Sequence, residues 1–259
     1  MAKYEDREMP LLEHLEELRQ RIIRSLIAIG IGMVICLIFA KKILQVLLWP
    51  TTQLDHPLSL QVLKVQGMFL VTLEVGLFGG VILSLPYILH QFWLFIAPGL
   101  LEHERRYFPR LLLSSTSLFI VGVLFSYFVV LPFALNFFIG LAPPEISANI
   151  AIDFYIGFAI RLLVIFGLIF ELPVISYFFS KIGLLTPEWM RRYRRHAVVT
   201  IFIVAAVLTP PDIITQVMLG IPLILLYELS IWISQLVLNK KLKEAETEKA
   251  EEAARTPET

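Results

Sequence analysis

Long apolar runs leave this chain few folds to choose from. Stretches of about twenty residues with almost no charge recur along its length, and each is long enough to carry an α-helix across roughly 30 Å of hydrocarbon. The runs are continuous rather than alternating, which excludes a membrane β-barrel. Of 259 residues, 57% are hydrophobic and only 17% are charged, too little polar surface for a water-soluble domain of this size. The chain is therefore expected to be all-α, a polytopic integral membrane protein lying in a lipid bilayer.

Six transmembrane helices are expected, at about 22–40, 68–95, 111–138, 154–179, 197–208 and 213–238. The fifth run is too short for an ordinary bilayer, and the fifth and sixth helices are expected to form a short pair. Pro86, Pro173 and Pro222 fall inside the runs and should bend or interrupt their helices. Residues 41–67 read as a long loop, with Trp49 as an interfacial anchor. Residues 1–21 form an amphipathic segment. After Pro10, Leu11, Leu15, Leu18 and Ile22 recur at helical spacing, so an interfacial helix should run into the first span. Residues 22–238 make the six-helix domain, and residues 239–259, alternating Lys, Glu and Ala, make a solvated tail that is frayed helix or disordered.

Basic residues set the orientation. Of the 22 Lys and Arg, all but four fall in the N-terminal segment, the second-to-third loop, the fourth-to-fifth loop and the tail. The four exceptions are Lys41, Lys42, Lys64 and Arg161. Both termini are therefore expected to be cytoplasmic, and the number of spans even. The first residues lack a basic stub followed by a short apolar core, so no cleavable leader is expected. Net charge is +0, which offers nucleic acid no general attraction. Cys36 is the only cysteine, so no intramolecular disulfide can form, and no metal or cofactor is expected.

Five motifs carry more information than the runs: His14-Leu15-Glu16-Glu17-Leu18-Arg19, Phe95-Ile96-Ala97-Pro98-Gly99-Leu100, His103-Glu104-Arg105-Arg106, Phe170-Glu171-Leu172-Pro173 and Leu208-Thr209-Pro210-Pro211-Asp212. Together, in this order, they resemble TatC, the polytopic subunit of the twin-arginine protein translocase. The resemblance covers nearly the whole chain, from about Pro10 to Leu238. It implies six helices in a curved, glove-like arrangement in the cytoplasmic (inner) membrane of a prokaryote. It implies binding of signal peptides carrying an Arg-Arg pair, and partner subunits TatA and TatB in homo- and hetero-oligomers. It also implies export of folded proteins driven by the proton-motive force.

The same resemblance distributes roles. Glu104, in the stretch 95–110 where Pro98-Gly99 breaks the second span, contacts the signal peptide's arginines, with His103 and Arg105 beside it. A guanidinium offers a planar fork that a carboxylate accepts bidentately, which lysine cannot reproduce. The plainer reading is a local pair with Arg105 or Arg106. Glu17 is the second acid, and its plainer reading is an i,i+4 pair with Arg21. Glu16 and Glu102 are competing registers. Arg19 is expected to orient the acids, and Phe95 to line the same cytoplasmic patch. Glu171 is an acid at membrane depth, a costly placement that points to function; it could instead bond a backbone group freed by Pro173. Asp212 is expected to cap the sixth span, and Gln216 to meet partner helices.

Two rival readings differ in class. A proton- or ion-coupled secondary transporter of a small solute would use Glu171 and Arg161, but no internal repeat of broken helices is visible. An intramembrane enzyme is not expected: there is no His-Glu-x-x-His, no Gly-x-Ser-x-Gly and no phosphate-binding loop.

Overall fold

A computed structural model of the chain describes residues 11–54, 58–96, 108–141, 143, 149–208 and 213–255. Ten α-helices and two short strands are described. In order they are α1 (Leu11–Ile38), α2 (Ala40–Thr52), β1 (Ser59–Gln61), α3 (Gly67–Ile96), α4 (Phe108–Phe125), α5 (Leu131–Gly140), β2 (Asn149–Ala151), α6 (Ile152–Ile169), α7 (Leu172–Lys181), α8 (Pro187–Arg192), α9 (Arg194–Leu208) and α10 (Ile213–Arg255).

Five stretches are long and apolar enough to cross a membrane: Leu12–Ile38, Gly67–Ile96, Pro109–Gly140, Ile152–Lys181 and Gln216–Lys243. Their apolar side chains are often exposed in the isolated chain, as at Leu26, Ile27, Ile31 and Val34 of α1. In water such a surface would aggregate; in a bilayer, lipid is its solvent. The fifth expected span is α9, 15 residues long and about 22 Å by helical rise. Among the described residues, it falls short of those five.

Several expectations are corrected. The sixth helix is not short: α10 runs for 43 residues, because Glu, Lys and Ala are strong helix formers and carry the helix past the apolar stretch. The expected loop at 41–67 contains helix α2, with Pro50 inside it. The all-α reading misses β1 and β2, which pair in parallel with Ser59 opposite Asn149. Pro132 lies at the start of α5, just after a π-helical turn, Ser126–Val130, that interrupts the third span. Pro86 leaves α3 continuous, whereas Pro173 coincides with a break between α6 and α7. Lacking an N–H, it cannot donate back to Ile169.

The chain divides into two compact units. The first comprises residues 1–52, 58–116 and 149–160. In it, α1 and α3 pack antiparallel, with their backbones touching at Gly32 and Gly80. A Cβ on Gly80 would lie 2.4 Å from the Met33 nitrogen, and one on Gly32 would lie 2.7 Å from the Gly80 carbonyl oxygen. Small residues are how membrane helices approach closely. The Ser84 hydroxyl adds a hydrogen bond to the Ala28 carbonyl, at 2.7 Å. Tyr155 donates to the Leu47 carbonyl at 2.6 Å, which fixes α2.

The second unit comprises residues 53–57, 117–148 and 161–259. Gly122 sits against the Phe166 carbonyl, and Gly167 against the Phe119 ring. The buried hydroxyls of Ser180 and Ser234 meet at 2.6 Å, joining α7 to α10. Tyr227 donates to the Met190 carbonyl at 2.8 Å, and Arg194 pairs with Glu228 at 2.6 Å.

Candidate functional site

The helical period places His14, Glu17 and Arg21 on one face of α1, at i, i+3 and i+7. Antiparallel packing sets that face against the end of α3, where Gln91 and Phe95 lie one turn apart. The His14 ring stacks on Phe95, with centroids 4.3 Å apart and planes 13° from parallel. His14 Nδ1 lies 3.8 Å from Glu17 Oε2. Glu17 Oε1 accepts a hydrogen bond from Arg21 Nε at 3.0 Å and a second from Arg21 Nη2. Arg21 Nη1 donates to Gln91 Oε1 at 3.4 Å, and Gln91 is buried.

This is more than solvent decoration. The side chains of Glu17 and Arg21 are 22% and 16% exposed, so their pairing is stronger than that of a surface pair. Oε1 is filled by Arg21. Oε2 is covered and accepts no hydrogen bond among the described residues. A carboxylate oxygen held without a donor is costly, so the cluster presents an unmet demand for a donor beside an aromatic shelf.

Sequence reasoning names Glu17 and Phe95, and the structure brings them together through His14. Arg19 is elsewhere. Its guanidinium pairs with Glu16 at 2.5 Å, and both side chains are well exposed. Two residues along a helix is about 200° of rotation, so Arg19 cannot share the face of Glu17; Arg21 orients that acid instead. The same geometry separates the competing registers, since Glu16 faces away from α3. Gln91 was missed: a polar residue in an apolar run, one turn before Phe95, was the available signal. Glu104, His103 and Arg105 lie outside the described residues, as does Asp212. The segment carrying the first three follows directly after α3.

Glu171 is in the second unit, at the break between α6 and α7, and only 4% exposed. Just before it in the chain, Phe166 and Phe170 make ring contacts with Phe125 at 6.0 and 5.6 Å. Gln216 Nε2 donates to the Phe202 carbonyl at 2.8 Å. One of its amide protons is thus used to hold α9 against α10. Arg161 is exposed on α6. No cluster of three or more potential metal ligands occurs among the described residues.

Comparison with known proteins agrees over nearly the whole length. The family described as TatC, Sec-independent protein translocase protein, matches residues 13–222. The Sec-independent protein translocase protein TatC of Aquifex aeolicus is 42% identical over 235 residues, covering 90% of this chain and 98% of that protein. Its counterpart in Escherichia coli (strain K12) is 37% identical over 233 residues, covering 89% and 90%. A crystal structure of the twin-arginine translocase receptor TatC superposes with a TM-score of 0.81 at 40% identity, covering 87% of this chain and 99% of the other.

Proposed function

The chain belongs to the TatC family of Sec-independent protein translocase proteins, and from that premise we propose that it is the signal-peptide receptor of a twin-arginine translocase. As a family member it is a multi-pass membrane subunit for protein transport and not an enzyme. In the proposed role it binds Arg-Arg signal peptides at the cytoplasmic face of the inner membrane. It then assembles with TatA and TatB and exports folded proteins at the expense of the proton-motive force.

The observation that carries this reading is the half-buried Glu17, held by Arg21 on one oxygen and without a donor on the other. In this reading the arriving peptide displaces what covers Oε2, and its guanidinium supplies the donor that this oxygen lacks. Because Arg21 occupies Oε1, Glu17 offers one oxygen, a contact that lysine could also make. Discrimination of Arg from Lys therefore falls to Glu104, which is free in this reading to accept both prongs of the fork. His14 and Phe95 give the peptide an aromatic surface beside the acid. Glu171 serves as a polar point within the membrane, and Asp212 and Gln216 serve contacts with partner helices.

The test is the affinity of the purified protein for a twin-arginine peptide and for its twin-lysine counterpart. Wild type should prefer Arg-Arg by about fivefold or more, which is about 1 kcal/mol. Glu104→Gln should abolish the preference, and Glu17→Gln should weaken both peptides. Equal binding of both peptides by all three proteins would reject the receptor reading.

A further inference from the structure

We propose that the junction of α1, α2 and α3 is a binding site for an anionic diacyl phospholipid, with an acyl chain in an apolar groove and the phosphate at Lys41 and Lys42. The groove has a volume of about 550 Å³ and is walled by Leu37, Phe39, Leu44, Met68, Val71 and Val75. That volume is within the range of sites that hold small molecules. Both lysines lie at its edge and are exposed. Lys42 Nζ stands 5.8 Å from the centroid of the Phe39 ring, which keeps one ammonium over the apolar wall.

Charge identifies the ligand. Lys41 and Lys42 make no ion pair among the described residues. They also occupy the first turn of α2, which contains no acid. Two adjacent ammonium groups at the rim of an apolar groove are therefore without a counter-charge among the described residues, and one phosphate answers both. Lys64, the third basic residue of the same connection, already has Asp153 at 3.0 Å.

Depth identifies the source of the phosphate. The lysines follow directly on the span Leu12–Ile38, at the level where headgroups meet hydrocarbon. They lie at the opposite end of α1 from the Glu17 cluster. Lysines on this side run against the charge bias that orients the chain, so they need a reason to be there. A soluble phosphate would satisfy the ammonium groups but leave the groove unfilled; a phospholipid satisfies both.

The test is native mass spectrometry of the full-length protein released from nanodiscs of equal phosphatidylglycerol and phosphatidylcholine. Wild type should retain phosphatidylglycerol over phosphatidylcholine by about tenfold or more, since each lysine near a headgroup is worth about 1 kcal/mol, or about fivefold. Lys41→Gln/Lys42→Gln should bring the ratio below about twofold, whereas Lys41→Arg/Lys42→Arg and Lys64→Gln should keep it. Thr72→Trp, which fills the groove, should reduce retention of both lipids. Equal retention by wild type, a ratio unchanged in the double Gln variant, or displacement of the lipid by millimolar inorganic phosphate would each overturn the assignment.

Discussion

The rings of His14 and Phe95 lie nearly parallel, 4.3 Å apart, and this contact pins the beginning of α1 to the end of α3. It also holds the imidazole within 3.8 Å of Glu17 Oε2. Loss of the stack should therefore loosen the acid as well as remove aromatic surface. Phe95→Ala is expected to weaken twin-arginine peptide binding by about three- to tenfold, since such pairs are worth about 0.5–1.5 kcal/mol. Phe95→Tyr should retain binding. Titration calorimetry on the purified protein checks both; an unchanged affinity for Phe95→Ala would remove the aromatic shelf from the site.

Gly80 and Gly30 should respond in opposite directions to the same substitution. Alanine is the better helix former by up to about 1 kcal/mol. At Gly30 a Cβ meets nothing within 4 Å, so Gly30→Ala should be neutral or stabilising. At Gly80 it would meet backbone at 2.4 Å, which cannot move like a side chain. Overpacking of this kind costs about 1–3 kcal/mol, so Gly80→Ala should lower the melting temperature in detergent. Equal melting temperatures for the two variants would mean that α1 and α3 are not in backbone contact.

Ser180 and Ser234 form a buried hydroxyl pair at 2.6 Å. Replacing one by alanine strands the other, at about 1–3 kcal/mol. Replacing both removes the need as well as the bond. A double-mutant cycle should therefore give a coupling of about 0.6–1 kcal/mol, typical of polar pairs between membrane helices. Additive effects would show that the two hydroxyls are satisfied separately.

Helix α9, at 15 residues, is shorter than the roughly 30 Å of hydrocarbon it would have to cross. If it spans the membrane, the bilayer must thin or polar flanks must follow it inward. Spin labels placed along α9 should show a protected zone narrower than that along α3 in the same bilayers. A protected zone of ordinary width would exclude thinning there.

Hydropathy alone located the ends of the second span to within about two residues, because the energetic contrast between lipid and water acts on each residue independently of its neighbours. The helical period likewise made Glu17–Arg21 legible as an i,i+4 pair, and the motif selected Glu17 over Glu16. The remaining features depend on residues far apart in the chain. Helix α2 has little signature in the sequence because a 13-residue segment containing Pro50 is marginal by itself; the Tyr155 hydroxyl, 108 positions away, supports it at Leu47. The pairing of Ser59–Gln61 with Asn149–Ala151 has no local signature. The unmet oxygen of Glu17 and its neighbours Gln91 and Phe95 exist only because Gly32 and Gly80 let two helices touch. Sequence thus determined which segments enter the membrane and which residue types they bring. Packing decided which of those residues share a face, since side chains from separate helices meet only when their backbones approach closely enough.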